Sequence, residues 1–151
     1  MKKYKSIVVD DDPISQKIVA QCINRSGMFE QSLLLGDALR LKEKLQKEKF
    51  DVIFLDIELP EVSGLDFIRA FQDLPQTVLM SNMKKYAVDA FEFEVLDFLP
   101  KPIEYSRFLK TVNKLEKVLN LNSKEIENDS IFFKVNGKLQ KIKLSHILFF
   151  E

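Results

Sequence analysis

The stretch Val52-Ile53-Phe54-Leu55-Asp56 decides the fold, because an uninterrupted apolar run this short is typical of a strand buried in a parallel sheet. Helix-length amphipathic stretches separate it from similar apolar runs on both sides. Three of those runs also end in a polar residue: Ile7–Val9 before Asp10, Thr77–Met80 before Ser81, and Leu96–Pro100 before Lys101. The alternation predicts an α/β fold, a doubly wound (βα)5 parallel sheet over about residues 4–120.

Each predicted strand is followed by a predicted helix. Asp12 and Pro13 suit the start of the first helix, as N-cap and first-turn residue, and Gly27 suits its end. The predicted strands lie at about 4–10, 29–35, 51–56, 76–81 and 96–100, and the predicted helices at about 13–27, 37–48, 64–73, 84–93 and 104–120.

The composition is that of an ordinary globular protein, with 46% hydrophobic and 30% charged residues among 151. The 23 basic and 23 acidic residues cancel, so the net charge does not indicate a nucleic-acid or membrane surface. The single cysteine, Cys22, excludes an internal disulfide framework, and its place on the apolar stripe of the first helix predicts a buried structural thiol. With no secretory signal and no run of transmembrane length in the sequence, we expect a cytoplasmic protein.

The C-terminal part of the chain predicts a separate β-structure. The polar stretch Asn120–Ser130 is typical of a linker. Beyond it, Ile131–Val135 and Leu139–Leu144 flank Asn136-Gly137, a pair typical of the tight turn of a β-hairpin. Because a few short strands cannot bury a core alone, we expect the chain to end inside a second domain. The predicted division is a first domain at 1–122, a linker at 123–130 and a domain fragment at 131–151.

The polar strand ends predict a common site, because the binding crevice of an open parallel sheet lies at the carboxyl ends of its strands. There, Asp10, Asp11 and Asp56 would repel one another by roughly 1–4 kcal/mol per pair at surface-like dielectric. A hard divalent cation such as Mg²⁺ would relieve this repulsion. The alternatives are calcium storage and an acidic surface without a ligand, and the lack of an Asp-x-Asp-x-Asp-Gly loop counts against calcium.

Phosphoryl chemistry fits the other strand-end groups. Asp56 stands alone after the most apolar strand, which makes it the better candidate for a nucleophile that forms an aspartyl phosphate. Lys101 would neutralise phosphoryl oxygens, and the Ser81 hydroxyl would donate a hydrogen bond to one of them. Each residue alone is more often a cap, a turn former or a solvated charge. The ordered set, with each member after its own strand, favours a functional site.

Four parts of the chain carry a family resemblance: Val8–Pro13, Asp51–Pro60 with Ser63-Gly64-Leu65, Leu79–Ser81, and Leu96–Pro102. The order of these segments and their amino-acid sequences resemble the receiver domain of two-component response regulators, over about residues 3–120. The resemblance implies a flavodoxin-like sheet with strand order 2-1-3-4-5. It also implies a switch rather than an enzyme, which accepts a phosphoryl group on Asp56 from a sensor histidine kinase.

The same resemblance implies roles for individual residues. Asp10 and Asp11 would be the acidic pair of a Mg²⁺ site that also uses Asp56 and the backbone carbonyl of Glu58, with Asp11 as a direct ligand. The side chain of Glu58 would also flank the site, as would Met83, and tune the lifetime of the aspartyl phosphate. Lys101 would pair with the phosphoryl group and precede a cis peptide bond to Pro102.

Ser81 and Phe98 fall at the switch positions of the family. On phosphorylation the hydroxyl would move inward and the ring would follow, changing the face of the fourth helix, fifth strand and fifth helix. Mixed charges on that face predict a homodimer: Lys84, Lys85, Asp89, Glu92, Arg107 and Lys110. Two residues depart from the family pattern. Asn82 stands where a small residue is usual and would restrict the phosphodonor, and Pro100 removes an N–H at the end of the fifth strand.

Residues 131–151 resemble the opening strands of a LytTR-type DNA-binding domain. This resemblance implies a transcription regulator that binds DNA only as the full-length protein. We expect no membrane partner, because the balanced charge gives no membrane signature. Two other functions stay open at this point. One is an interaction module that works without phosphorylation. The other is a Mg²⁺-dependent phosphatase of the haloacid dehalogenase kind, with Asp10 and Asp12 as its Asp-x-Asp pair.

Overall fold

A computed structural model describes residues 3–124, 130–135 and 138–143 of the chain. Five parallel strands form one sheet in the order β2-β1-β3-β4-β5, so the predicted doubly wound flavodoxin-like fold is confirmed. The strands are β1 Ser6–Val9, β2 Leu33–Leu35, β3 Val52–Asp56, β4 Gln76–Ser81 and β5 Asp97–Pro100. The helices are α1 Pro13–Ser26, α2 Ala38–Lys47, α3 Gly64–Ala70, α4 Tyr86–Glu92 and α5 Tyr105–Lys124.

Side chains alternate between the two faces of the sheet, and each face has its own apolar core. On one face, Val8 and Phe54 pack with α1 and α5, and the Phe54 ring stacks on that of Phe108. On the other face, Ile7 and Ile53 pack with α2, α3 and α4. The central strand β3 is therefore buried at all five positions, as its continuous apolar sequence predicts.

Helix α1 begins and ends at the predicted residues. The Asp12 carboxylate accepts a hydrogen bond from the Ile14 N–H at 3.1 Å, and Pro13 is the first helical residue. Gly27 follows the helix with φ = 71°, a left-handed conformation that favours glycine. Cys22 is buried on the inner side of the helix, as predicted, and burial raises the pKa of its thiol.

Three predicted elements are longer than the structure allows. Strand β2 spans only Leu33–Leu35, not 29–35, because Phe29 forms an isolated bridge with Tyr4 and the polar residues after it interrupt the pairing. Helix α3 ends at Ala70, and Asp73 beyond it has φ = 57°, which no helix accommodates. Helix α4 begins at Tyr86, two residues later than predicted.

Helix α5 is longer than predicted and runs to Lys124, so residues 123 and 124 of the predicted linker are helical. Asparagine and serine cost only a few tenths of a kcal/mol in a helix, which is too little to end this one at position 120. The predicted hairpin is present as two antiparallel strands, β6 Ser130–Val135 and β7 Lys138–Lys143. The predicted Asn136-Gly137 turn and residues 125–129 and 144–151 lie outside the described residues, and the domain division stays a prediction.

Candidate functional site

Asp10 lies directly after β1 and is fully buried. Its Oδ1 accepts a hydrogen bond from the Asp12 N–H at 2.9 Å, and its own N–H donates to the Leu35 carbonyl at 3.0 Å. The side-chain amide of Gln16 donates to the carbonyls of both Asp10 and Leu35, at 2.7 and 2.8 Å. These bonds fix the end of β1, while the neighbouring Asp11 is exposed to solvent.

Asp56 is the last residue of β3 and is only 2% exposed. Its Oδ1 accepts a hydrogen bond from the Glu58 N–H at 3.1 Å. Gly64, at the start of α3, passes so close that a Cβ there would lie 2.5 Å from the Asp56 carbonyl oxygen. The loop between β3 and α3 therefore packs tightly behind this carboxylate, and only glycine fits at position 64.

Lys101 follows β5 and brings one positive charge to two carboxylates. Its Nζ lies 2.8 Å from Oδ2 of Asp10 and 3.1 Å from Oδ2 of Asp56, and its side chain is 8% exposed. Its N–H donates to the Ser81 carbonyl at 2.8 Å, and the peptide bond to Pro102 is cis, as predicted. The structure thus brings together charged groups from the ends of β1, β3 and β5.

These buried charges shift one another's pKa values. Burial raises the pKa of Asp56 most, and the neighbouring Asp10 carboxylate raises it further. The Lys101 ammonium opposes both effects, and the resulting pKa of Asp56 is about 7. Burial alone would lower the pKa of Lys101, but the two carboxylates outweigh it and raise that pKa. The site therefore holds more negative than positive charge when both carboxylates are ionised.

Asp10, Asp11 and Asp56 form a group that suits a metal ion. One carboxylate oxygen of each lies within 4.8 Å of those of the other two. Oxygen ligands and an excess of negative charge fit a hard cation such as Mg²⁺. The fourth predicted ligand, the Glu58 carbonyl, stays a prediction. Asp12 is not in this group because its carboxylate caps α1, which counts against the phosphatase alternative.

Ser81 is the last residue of β4 and is fully buried. Its hydroxyl donates a hydrogen bond to the Glu58 carboxylate and accepts one from the Met83 N–H at 2.9 Å. The contact between Ser81 and Glu58 was not predicted from the sequence. There, the Glu58 side chain was expected only to flank the site. The available signal was an acidic residue two positions after Asp56.

Phe98, in β5, is partly buried and packs against the apolar core on the face of α2, α3 and α4. Its carbonyl accepts a hydrogen bond from Arg107 at 3.0 Å, and Arg107 also binds both carboxylate oxygens of Asp97, at 2.7 and 2.8 Å. Burial alone would raise the pKa of Asp97, but hydrogen bonds from Arg107 and Thr111 outweigh it and hold that pKa at about 2. Arg107, predicted as a charge on a dimer face, is therefore engaged within the chain.

Comparison with protein families decides what this arrangement is. The family model of the response regulator receiver domain matches residues 7–113. The chain belongs to the response regulator receiver family. The matched part of the receiver contains Asp10, Asp56, Ser81 and Lys101, the residues that the structure places at the carboxyl edge of the sheet.

The receiver is similar to curated and solved proteins. An uncharacterised response regulatory protein of Vibrio parahaemolyticus is 34% identical, over 76% of this chain and 48% of the relative. The transcriptional regulatory protein LytR of Staphylococcus aureus is 26% identical, over 95% of this chain and 64% of the relative. The crystal structure of the response regulatory domain of MrkE from Klebsiella pneumoniae has a TM-score of 0.70 and 32% identity, covering 77% of this chain and 98% of that one.

The chain spans about half the length of curated relatives that it matches, with 48%, 47% and 47% of the lengths of three of them covered. The activity and partners of those complete proteins therefore do not transfer directly to this chain. Among the described residues, no helix has both the length and the apolar composition that crossing a membrane requires.

Proposed function

We propose that the receiver accepts a phosphoryl group on Asp56 from a sensor histidine kinase, and that it acts as a switch rather than an enzyme. Mg²⁺ would be held by Asp10, Asp11, Asp56 and the Glu58 carbonyl. The observation that carries the proposal is the Lys101 ammonium, which lies 2.8 Å from Asp10 and 3.1 Å from Asp56 at the carboxyl edge of the sheet. A buried cation beside a strand-end carboxylate suits an anion that becomes bonded to that carboxylate.

The transfer exchanges one bond at phosphorus. A carboxylate oxygen of Asp56 attacks the phosphorus, the O–P bond forms, and the P–N bond to the kinase histidine breaks. The imidazole leaves with the electron pair of that bond and then takes a proton from solvent. Lys101 balances the charge of the phosphoryl oxygens, and Ser81 donates a hydrogen bond to one of them. A bound Mg²⁺ supplies further positive charge for these oxygens.

Access to the acceptor is narrow, because Asp56 is almost fully buried. A cleft of about 150 Å³ leads to Lys101 and is lined by Asp12, Asn82 and Pro102 among others. Asn82 lines this cleft together with Lys101, which supports the prediction that this residue restricts the phosphodonor. A small donor such as acetyl phosphate would be affected less than a kinase domain.

The test is Mg²⁺-dependent phosphorylation by acetyl phosphate, followed as a mass increase of one phosphoryl group, together with binding of the mimic beryllofluoride. Wild-type protein should gain the group only with Mg²⁺, and Asp56→Asn should abolish the gain. Asp12→Asn is the matched control and should retain it, because asparagine also caps a helix well. The proposal would be wrong if the wild-type protein neither gained mass nor bound beryllofluoride.

The output would act through the face of α4, β5 and α5, with a second copy of the receiver as the partner. Val88 and Phe91 on α4 are 68% and 78% exposed, so this face carries apolar surface beside its charges. Ser81 and Phe98 would change its shape on phosphorylation. Sedimentation with and without beryllofluoride measures the association, and an unchanged mass in both states would count against an activated dimer.

We further propose that the complete protein regulates transcription through a LytTR-type DNA-binding domain. The support is the likeness to the LytR regulators and the antiparallel pair β6–β7 after the receiver. DNA binding would require the full-length protein. Phosphorylation and DNA binding would both take place in the cytoplasm, where DNA and phosphoryl donors are found together.

A further inference from the structure

The hydroxyl of Ser81 already has hydrogen-bond partners within the protein. It is fully buried, donates its proton to Oε1 of Glu58, and accepts a hydrogen bond from the Met83 N–H at 2.9 Å. A hydroxyl has a single proton to donate. Ser81 therefore cannot donate to a phosphoryl oxygen while it is bonded to Glu58.

The Glu58 carboxylate occupies the hydrogen-bond donor that a phosphoryl group on Asp56 would use. Its Oε1 takes the hydrogen bond of Ser81, and its Oε2 is buried with no hydrogen-bond partner among the described residues. The side chain also lies within hydrogen-bonding reach of the Asp56 carboxyl. An anion of the protein itself thus uses a donor that the incoming anion requires.

We propose that the Glu58 side chain is an internal competitor for the phosphoryl site, holding the Ser81 hydroxyl until a phosphoryl group displaces it. The inference rests on the proposed function, because it takes Asp56 as the acceptor. Glu58 is a positioning residue: it forms no bond to phosphorus and acts through Ser81. In the exchange, the hydroxyl keeps its proton and only its acceptor changes, from a carboxylate oxygen to a phosphoryl oxygen.

Displacement has a direct route. Glu58 lies in the loop between β3 and α3 and is only partly buried, so its side chain can turn toward solvent while the loop stays in place. In water the carboxylate regains the solvation that its Oε2 lacks in the buried position. The receiver then exists in two arrangements, with Ser81 bound to Glu58 or free for the phosphoryl group, and only the second is competent. Affinity for the mimic falls in proportion to the competent fraction.

The experiment is a double-mutant cycle on beryllofluoride binding in saturating Mg²⁺, followed by fluorine NMR or calorimetry. Glu58→Ala should bind the mimic about tenfold more tightly than wild type, because the charge-assisted bond to Ser81 no longer competes. Glu58→Gln keeps an oxygen that accepts from Ser81, so its gain should be smaller. Glu61→Ala is the charge-matched control, since it removes an exposed carboxylate from the same loop, and it should not change affinity.

The Ser81→Ala background decides between competition and simple repulsion. If Glu58 acts through Ser81, most of the gain from Glu58→Ala should disappear there. A gain that persists in full in that background, or a Glu58→Gln variant that matches the alanine variant, overturns the inference in favour of charge alone. So does a change in affinity for Mg²⁺ alone large enough to explain the gain.

The outcome also separates this inference from the proposed function. If neither wild type nor any Glu58 variant binds beryllofluoride with Mg²⁺, the proposed function fails, and the role of Glu58 fails with it. If wild type binds the mimic and Glu58→Ala binds it no more tightly, only the role of Glu58 is rejected. In protein without ligand, NMR should show the Met83 amide signal shifted by Glu58→Ala, because its acceptor Ser81 is released.

Discussion

The backbone of Gly64 lies directly against the carbonyl group of Asp56, so that a Cβ at position 64 would stand 2.5 Å from the oxygen and 3.1 Å from the carbon. Both contacts are with backbone atoms, which cannot give way without shifting the end of β3. Gly64→Ala should therefore lower the free energy of unfolding by about 1–3 kcal/mol, as measured by urea denaturation. Gly36→Ala is the control, because a Cβ there meets nothing within 4 Å. Equal losses at both positions would contradict the account.

Neutralising Asp56 should stabilise the metal-free protein, and more so at high pH. Its pKa is raised to about 7, so the folded state binds more protons than the unfolded chain, and stability falls as pH rises from about 4 to about 7. Asp56→Asn removes this loss and should raise the free energy of unfolding by about 2 kcal/mol or more at pH 8, and much less at pH 4. The measurement is urea denaturation at both pH values, with Asp12→Asn as control. A gain of the same size at both would show that ionisation of Asp56 is not its cause.

The pair of Asp97 and Arg107 should set part of the acid sensitivity. The pKa of Asp97 is lowered to about 2, so its stabilising contribution is complete above about pH 4 and is lost as pH falls through about 2. Arg107→Ala should cost roughly 2 kcal/mol at pH 7 and flatten the pH dependence of stability between pH 4 and 2. Arg69→Ala removes an arginine from an exposed pair with Asp66 and should change little. A variant as acid-sensitive as wild type would argue against this pair.

Magnesium should stabilise the receiver through its three strand-end carboxylates. Binding to the folded state alone adds about 2.7 kcal/mol at a concentration 100 times the dissociation constant. Thermal unfolding with and without MgCl2, at matched ionic strength, measures the gain. Asp11→Asn should reduce it strongly, because this exposed carboxylate offers an oxygen to the group formed with Asp10 and Asp56. Asp12→Asn should leave the gain intact, and loss of the gain in that variant would place the ion elsewhere.

The convergence of Asp10, Asp56 and Lys101 could be predicted from the sequence because it follows from topology. Parallel strands carry their carboxyl ends to one edge, so a polar residue after each apolar run arrives at the same place whatever the loops do. The helix cap at Asp12 was predictable for a local reason, since it needs only the next two residues. Both inferences use short-range patterns that tertiary packing does not reverse.

The contact between Glu58 and Ser81 could not be predicted in the same way. Its geometry depends on the rotamer of a side chain in a loop. That rotamer is set by the residues around it in space and not by the spacing of residues in the sequence. The start of β2 depends likewise on Phe29, whose ring centre lies 6.3 Å from that of Phe54 and whose backbone forms only an isolated bridge with Tyr4. Element boundaries and loop rotamers are decided by such long-range contacts, while the strand-end charges are not.

Lys101 and Asp10 form an ion pair although most of the receiver sequence lies between them. The two residues can meet only when β5 is paired with β4. A nascent chain that lacks the fifth strand holds the carboxylates without their cation. Because domains fold as units during synthesis, an unfinished receiver lacks the complete group of charged side chains at the carboxyl edge of the sheet. The ion pair is thus a mark of the completed domain, since it can form only in a chain that includes residue 101.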